Sequence, residues 1–388
     1  IKMQDMNALL NDIRARHDIL EEKEDLLLGA EKKIEELAGM VNQIEGRIKQ
    51  VTLSEDRVRD TQQALSELDA VIVRVSSDKD KIEKEGRNLE KGLRLDRNEK
   101  VDNWPKDFIN KVLSSTPEGF FSMYPEITPL YKKLAKHLKV SEKQILITSG
   151  IDDSIKNLFA VLTEPGDNVA VFSPTYLMYE IYSKIYKVKF YPLTYSQDYK
   201  LKKEELDQFL SSKPTILFIP NPNQPIESSL SLNELKELAL KCKEKNCFLV
   251  LDEAYYLFGA DTGISLLKGF ENVIILRTFS KAFGAPSIRA GYTISTEENM
   301  EIISKMRIAH ELSSTSIAIA EYLLDNFYIV QNYCKQITQS RDITLTEINN
   351  LGLEARGKHG NYLLIRFKSE EIANNVVNFL RKKLIQYG

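Results

Sequence analysis

The stretch "VIILRTFSKAFGAPSIRAGYTIS", residues 273–295, begins as an apolar run and then reaches a lysine, Lys281, flanked by hydroxyl and small side chains. Arg289 follows that lysine eight positions later. The apolar run is typical of a strand buried on both faces, so Lys281 is predicted to lie just beyond the end of a strand. A lone lysine there is more often an ordinary surface residue than a nucleophile. Its role therefore has to be inferred from the residues at the ends of the other strands.

Five more apolar runs precede this stretch in the chain. They are "ILITS" (145–149), "VAVFS" (169–173), "VKFYPL" (188–193), "TILFIP" (215–220) and "FLVLDEAY" (248–255). Helical patterns such as "SLNELKELALKCKEKN" lie between most of them. This alternation predicts an α/β fold with a mostly parallel sheet and helices on both faces.

Ligands of such sheets bind beyond the carboxyl ends of the strands. The residues predicted there are unusually polar: Ser149-Gly150, Ser173 to Tyr176, Asn221 to Pro225, Asp252 to Tyr255, and Thr278 to Lys281. Asp252 follows a buried run, and an unpaired buried charge is costly, so its carboxylate is expected to have a cationic partner. Without a ligand, the simplest explanation of Asp252 is a helix cap or an ion pair with a nearby arginine.

Together these residues resemble the pyridoxal-phosphate-dependent fold-type I aminotransferases (class I/II), most closely the histidinol-phosphate aminotransferase-like branch. The segments "SPTYLMY", "NPNQP", "DEAY" and "TFSKAFGAPSIRAGY" occur in that family's order and at similar spacings. The resemblance covers about residues 93–388. It implies a large cofactor-binding domain with an N-terminal arm, residues 93–300, and a smaller α/β domain, residues 301–388.

The resemblance implies pyridoxal 5'-phosphate as the cofactor and catalytic roles for Lys281, Asp252 and Tyr255. Lys281 would hold the cofactor aldehyde as a Schiff base and then move a proton to and from the substrate carbon. Asp252 would pair with the pyridine nitrogen, which supplies the cationic partner that its carboxylate needs. Tyr255 would donate to the ring hydroxyl.

The resemblance also implies the remaining cofactor contacts. Tyr176 would stack on the ring face, and Gln224 stands where the family has the amide that bonds the ring hydroxyl. The phosphate would be held by the amides of Gly150, Ile151 and Asp152 and by the side chains of Thr278, Ser280 and Arg289. Since Ser and Asp are good caps, "SGIDDS" is also compatible with an ordinary capped helix start.

Tyr124, in "FSMYPEIT", matches the tyrosine that this family extends to the phosphate of the neighbouring subunit. The resemblance therefore implies a homodimer with shared active sites. As an isolated residue before a proline, Tyr124 would otherwise be interpreted as a packing residue.

The sequence departs from the family in two regions. Gln224-Pro225-Ile226-Glu227 replaces the usual Asn-Pro-Thr-Gly, which predicts a remodelled loop. The family's arginines for the substrate carboxylate lie beyond the segment that ends at Gly388, so the small domain is predicted to be truncated, or the substrate to be held in another way. Asn98, in "LDRNEK", matches the family's amino-terminal active-site segment only loosely.

Residues 1–92 have a different composition, with no proline and many charged residues. Apolar residues recur there every seven positions: Met6, Ile13, Leu20, Leu27, Ile34, Val41 and Ile48. This heptad predicts a long coiled coil whose partner is a second copy or another protein. A lone amphipathic helix that folds back is the alternative.

Composition excludes several classes of function. The net charge is only -3, so nothing indicates nucleic acid as a partner, and no apolar run approaches the roughly 20 residues that span a bilayer. The three cysteines lack the spacing of a zinc or redox site, which predicts no metal, free thiols and a cytoplasmic location. Because the chain begins at Ile1, we expect a fragment or a processed product.

Three functions compete at this point. The leading hypothesis is an aminotransferase whose substrate is a small amine or amino acid, with or without a phosphate group. The alternative within the same family is a decarboxylase of a phosphorylated amino acid. The alternative of another class is a coiled-coil scaffold whose globular part has lost activity.

Overall fold

The computed structural model of the protein describes residues 97–380. The predicted coiled coil, residues 1–92, lies outside the described residues. The division of the rest into domains at residues 93–300 and 301–388 stays a prediction.

A seven-stranded sheet forms the centre of the described part of the chain. Its strands are β1 Ile145–Thr148, β2 Asn168–Ser173, β3 Lys189–Thr194, β4 Pro214–Pro220, β5 Phe248–Asp252, β6 Val273–Thr278 and β7 Gly291–Ile294. Their spatial order is β1-β7-β6-β5-β4-β2-β3. Strand β7 is antiparallel to β1 and β6, and the other adjacent pairs are parallel. This arrangement confirms the predicted mostly parallel sheet and all six predicted strands.

Helices flank this sheet. The α-helices of the described residues are α1 Phe108–Leu113, α2 Thr128–Leu138, α3 Gly150–Leu162, α4 Met178–Ile185, α5 Lys203–Leu210, α6 Leu232–Glu244, α7 Glu297–Ile303, α8 Ser314–Asp325, α9 Phe327–Asn350 and α10 Glu370–Leu380. A separate antiparallel pair is formed by β8 Glu354–Arg356 and β9 Leu364–Arg366. Every helix between residues 97 and 380 is too short or too polar to cross a bilayer.

The sheet is buried on both faces, as its apolar strands predict. Leu249 and Leu251 of β5 pack in one apolar cluster, and Val250 between them packs in the cluster on the opposite face. Because side chains alternate along a strand, Asp252 projects to the same face as Val250. Tyr179 belongs to the cluster on that face. The strand period therefore places a phenol next to the Asp252 carboxylate.

Strand β7 was not predicted from the sequence. It begins shortly after Arg289 and runs antiparallel to β6. Its first residue, Gly291, lies against the start of α3. A Cβ atom on Gly291 would come within 2.6 Å of the carbonyl carbon of Gly150. Only glycine permits this approach, which brings Arg289 next to the first turn of α3.

Candidate active site

A cavity of about 560 Å³ opens at the carboxyl ends of β4, β5 and β6. We call it the crevice. It is lined by these residues: Arg97, Asn98, Glu99, Ile151, Asp152, Thr175, Tyr176, Pro220, Pro222, Asn223, Gln224, Asp252, Ala254, Tyr255, Thr278, Ser280, Lys281, Pro286 and Arg289. The sheet thus brings together ten of the twelve predicted site residues. Of the other two, Gly150 lies beneath the Arg289 side chain and Tyr124 lies elsewhere.

Asp252 lies at the floor of the crevice and is almost fully buried. Its Oδ2 accepts a hydrogen bond of 2.6 Å from the Tyr179 hydroxyl, and its Oδ1 accepts one of 3.0 Å from the amide of Ala254. Burial raises the pKa of Asp252 to about 6, although both hydrogen bonds favour the ionised form. Within residues 97–380 no arginine or lysine forms an ion pair with this carboxylate. The nearby arginine, Arg277, pairs with Glu253 instead.

The amine of Lys281 lies inside the crevice, which excludes its interpretation as an ordinary surface lysine. Its Nζ donates to the carbonyl oxygens of Arg97 (3.1 Å) and Asn98 (3.3 Å), and it lies 5.5 Å from the centre of the Tyr255 ring. Burial lowers the pKa of Lys281, and the carboxylates of Glu99 and Asp252 partly oppose that shift. A lowered pKa favours the neutral amine, the form that acts as a nucleophile or base.

Tyr255 faces the same space. Its hydroxyl accepts a hydrogen bond of 3.1 Å from Nδ2 of Asn98, and its ring packs edge-on against Tyr362. Burial raises the pKa of Tyr255 to about 12, so the phenol stays protonated and can donate to a ligand. Asn98, which the sequence matched only loosely, is therefore part of the site.

The crevice is also lined by a guanidinium and by hydroxyl groups. Arg289 adopts a left-handed backbone, and its NH2 lies 3.4 Å from a carboxylate oxygen of Asp152. Tyr176 donates to the other Asp152 oxygen at 2.7 Å. Burial and this carboxylate both raise the pKa of Tyr176, so its hydroxyl remains protonated.

The first turn of α3 faces Arg289. A Cβ on Gly150 would meet NH2 of Arg289 at 3.0 Å, so the guanidinium lies directly over that turn. Ser149 makes no side-chain capping bond there, unlike an ordinary capped helix start. On the adjoining strand, the Thr278 hydroxyl donates to Oγ of Ser280 and accepts from the Ser280 amide, both at 3.0 Å.

The loop after β4 carries two amides with different surroundings. Asn223 is fully buried, and its side chain donates to Tyr195 and to the carbonyl of Pro174 while it accepts from Thr175. Gln224 lines the crevice. Both residues line the crevice, but the Asn223 amide is already engaged by Thr175, Pro174 and Tyr195, which leaves the Gln224 amide as the candidate for a ligand.

Tyr124 does not line the crevice. Its side chain is 83% exposed, and its ring stacks on His310 with centroids 4.5 Å apart. It is not a packing residue, since a buried ring would be largely inaccessible. Its geometry leaves the hydroxyl available to another molecule.

Tyr179, the hydrogen-bond partner of Asp252, was not predicted from the sequence. Its position three residues after Tyr176 was visible in "TYLMY", but Tyr179 lies in the first turn of α4 whereas Tyr176 precedes that helix. What the sequence could not show was which of the two rings points inward.

Comparison with known proteins agrees with this geometry. The family model for aminotransferase class I and II matches residues 90–388. Histidinol-phosphate aminotransferase 1 of Carboxydothermus hydrogenoformans is 28% identical over 291 residues, which cover 74% of this chain and 82% of that protein. Histidinol-phosphate aminotransferase of Hydrogenobaculum sp. is 30% identical over 272 residues, or 69% of this chain and 74% of that protein.

Solved structures have the same fold. Histidinol-phosphate aminotransferase from Sinorhizobium meliloti, in complex with pyridoxal-5'-phosphate, has a TM-score of 0.68 at 24% identity, over 74% of this chain and 79% of that one. L-threonine-O-3-phosphate decarboxylase from Porphyromonas gingivalis has a TM-score of 0.57 at 23% identity, over 70% of this chain and 86% of that one. The predicted family, fold class, enzyme class and cofactor are thereby confirmed: the chain belongs to the aminotransferase class I and II family of pyridoxal-phosphate-dependent enzymes.

Proposed function

We propose that this enzyme transfers the amino group of a small phosphorylated amine or amino acid, with Lys281 as its catalytic lysine. The observation that carries the proposal is the convergence of Lys281, Asp252, Tyr255 and Arg289 on one crevice at the carboxyl end of the sheet. The relatives with similar sequences are named histidinol-phosphate aminotransferases, which favours a phosphorylated substrate.

The residues of the crevice fit pyridoxal 5'-phosphate. A buried carboxylate, Asp252, faces the cavity without an ion-pair partner in the described part of the chain, as a site for a protonated ring nitrogen requires. Tyr255 and Gln224 would bind the ring hydroxyl, and Tyr176 would cover the ring face. When bound, the cofactor would supply an aldehyde for amines and a ring that takes up an electron pair.

The phosphate of the cofactor would lie between Arg289 and the first turn of α3. The guanidinium gives a bidentate contact, and the amides of Gly150, Ile151 and Asp152 point out of the helix start. Thr278 and Ser280 would add hydroxyl donors. Asp152, which now contacts both Arg289 and Tyr176, would keep these two side chains oriented.

Lys281 would act on protons as well as bind the cofactor. Burial lowers its pKa, which favours the neutral amine, and its contacts with two backbone carbonyls hold it at the crevice. An amine held in this way can take a proton from the substrate carbon and return one elsewhere.

Decarboxylation is the less favoured reaction. The similar decarboxylase matches in fold at 23% identity, whereas sequence similarity points to aminotransferases. The two reactions are separated by products. Incubation with an amino acid should give keto acid, and release of carbon dioxide without keto acid would exclude the aminotransferase.

A catalytically inactive scaffold is tested more simply. The purified protein with added pyridoxal phosphate should show an absorbance band near the visible edge. Lys281→Ala should abolish that band, whereas Lys241→Ala, at a surface ion pair with Asp207, should leave it unchanged. A wild-type protein that stays colourless with the cofactor would favour the scaffold.

The assembly and location are also proposals. The exposed Tyr124 supports a homodimer in which this residue reaches the partner's phosphate site. Residues 1–92 are proposed to form a coiled coil with a second copy or another protein. Cys242, Cys247 and Cys334 are buried and form no disulfide, which supports a reducing compartment, the cytoplasm.

A further inference from the structure

Glu227 occupies the loop position where the resemblance leads one to expect glycine, and its carboxylate is directed into the protein. The side chain is only 8% exposed, and one oxygen, Oε1, accepts hydrogen bonds from two consecutive amides, Lys358 (2.8 Å) and His359 (2.6 Å). Hydrogen bonds to a carboxylate are stronger than neutral ones. Glu227 therefore holds a segment that lies more than 130 positions away in sequence.

That segment, residues 357–362, is called the latch segment here. His359 places Nδ1 2.8 Å from the Ser229 hydroxyl and 3.6 Å from Oε1 of Glu227. From the other side, NH1 of the buried Arg341 donates to the carbonyl of Gly360 at 3.0 Å. The latch segment is thus fixed between the loop after β4 and helix α9.

The latch segment continues to the catalytic lysine. Nδ2 of Asn361 donates at 3.0 Å to the carbonyl oxygen of Asn98, the same oxygen that accepts from Lys281. The side chain of Asn98 donates to Tyr255, against which the ring of Tyr362 packs at 5.2 Å between centroids. Hydrogen bonds and covalent links therefore form an unbroken route from Glu227 to Lys281 and Tyr255.

We propose that Glu227 is a positioning residue, which fixes Lys281 and Tyr255 through the latch segment and Asn98. The proposal rests on the proposed function, because it assigns Glu227 to the same reaction. Glu227 does not line the crevice, so any effect on cofactor or catalysis must pass through the latch segment.

Two substitutions separate positioning from folding. Glu227 has φ 57, a left-handed conformation that glycine adopts without strain. Glu227→Gly therefore removes the acceptor while it relieves the backbone. Glu227→Gln keeps a carbonyl oxygen for both amides and removes only the charge. Glu354→Gln, at an exposed surface carboxylate, is the matched control.

The dissociation constant of pyridoxal phosphate, from titration of the absorbance band, is the first measurement. Glu227→Gly should weaken binding about 10-fold, because two amides lose their hydrogen-bond acceptor, and Glu227→Gln, which keeps that acceptor without its charge, should weaken binding clearly less than Glu227→Gly. The kcat for transamination should fall in Glu227→Gly while the KM for the amine stays within about 2-fold. Unchanged binding and kcat in Glu227→Gly would overturn the proposal.

A double-mutant cycle with Asn361→Ala tests the route itself. If Glu227 acts through Asn361, Glu227→Gly should add less than about 2-fold to the loss already caused by Asn361→Ala. If the effects of the two substitutions on the dissociation constant multiply, they are independent and the proposal is overturned. If Glu227→Gly does not fold, Asn361→Ala alone decides, and wild-type binding of pyridoxal phosphate in that variant would overturn the proposal. A wild-type protein without any band would instead refute the proposed function.

Discussion

The hydroxyl of Tyr179 lies 2.6 Å from Oδ2 of Asp252, and both side chains are buried. The groups that face Asp252 act in opposite directions. Burial and the charges of Asp152 and Glu253 raise its pKa, whereas Tyr179 and the amide of Ala254 lower it. The result, a pKa of about 6, leaves Asp252 mostly ionised at neutral pH, so Tyr179 helps to keep the carboxylate able to bind a protonated ring nitrogen.

Tyr179→Phe should therefore move the acid limb of the pH profile of kcat/KM to higher pH. Loss of a donor to the ionised form raises the pKa of Asp252 above about 6, so the active ionised form disappears at a higher pH as the solution is acidified. We expect a shift of about one pH unit or less, and near wild-type activity well above the limb. Steady-state rates between pH 5 and pH 9 measure it.

Tyr182→Phe is the control, because Tyr182 lies on the same helix, is partly buried and packs against Phe159 rather than Asp252. It should leave the acid limb in place. A Tyr179→Phe profile that is lowered at every pH without a shift would mean that Tyr179 only supports the fold.

Single residues also show how far the sequence could be interpreted. Lys281 and Asp252 were recognisable because each stands at the end of a strand that the apolar pattern identifies, and Arg289 because it follows Lys281 at the eight-residue spacing of the family. Tyr179 was not, since its role depends on which face of β5 carries Asp252 and on how α4 packs on that face. Glu227 was recognised as a departure from the family, but its amide partners lie in a segment that no local pattern connects to it.

At the scale of elements, the ends of β5 and β6 are joined by a buried ion pair. Nε and NH2 of Arg277 donate to Oε2 of Glu253 at 3.0 and 2.8 Å, and the Tyr256 ring lies 3.8 Å from the guanidinium carbon. Oε1 of Glu253 accepts from the amide of Gly263 at 2.6 Å. Because Glu253 follows Asp252 and Arg277 precedes Thr278, the pair fixes the spacing between two edges of the crevice.

Arg277→Met should lower the free energy of unfolding by about 3–5 kcal/mol, because it leaves the Glu253 carboxylate buried and uncompensated. The additional substitution Glu253→Leu should recover much of that loss, since the pair of apolar side chains leaves no buried charge. Urea denaturation followed by circular dichroism measures both.

Arg356→Met provides the comparison on the surface. The ion pair of Arg356 with Glu354 is exposed and spans 3.6 Å, so its loss should change the free energy of unfolding by less than about 1 kcal/mol. Equal effects of the Arg277 and Arg356 substitutions would contradict the role assigned to the buried pair.

Strand β7 marks the limit of element prediction from this sequence. It spans only Gly291–Ile294, and only the short 3-10 helix Pro286–Ile288 lies between it and β6, so the alternation of strand and α-helix that identified the other strands gives no signal there. Its antiparallel pairing with β1 and β6 depends on the three-dimensional arrangement of the strands, which no local sequence pattern indicates. The quoted stretch that decides the fold thus contains two strands, with Lys281 and Arg289 in the connection between them.

At the scale of the whole molecule, exposed apolar side chains stand near Tyr124 in the chain and within two residues of His310, on which its ring stacks. Phe121 is 78% exposed, Tyr124 83%, Met123 53% and Ile308 51%. Exposed apolar side chains that lie together commonly mark an interface. The proposed homodimer would cover these side chains and would place each Tyr124 hydroxyl at the phosphate site of the other subunit. Each active site would then contain residues from two chains.

Mixed dimers test this shared site. Lys281→Ala should be inactive, and Tyr124→Ala should bind pyridoxal phosphate roughly 10-fold more weakly, because a hydrogen bond to a charged group is lost. When the two variants are co-expressed in equal amounts, half of the dimers are hybrids. One of the two sites in each hybrid contains both Lys281 and the tyrosine of the other subunit. About a quarter of all active sites in the mixture should therefore be equivalent to wild type. Transaminase activity at low cofactor concentration, together with the mass in solution, measures the outcome; activity no higher than the mean of the two parents would show that Tyr124 does not act across a subunit interface.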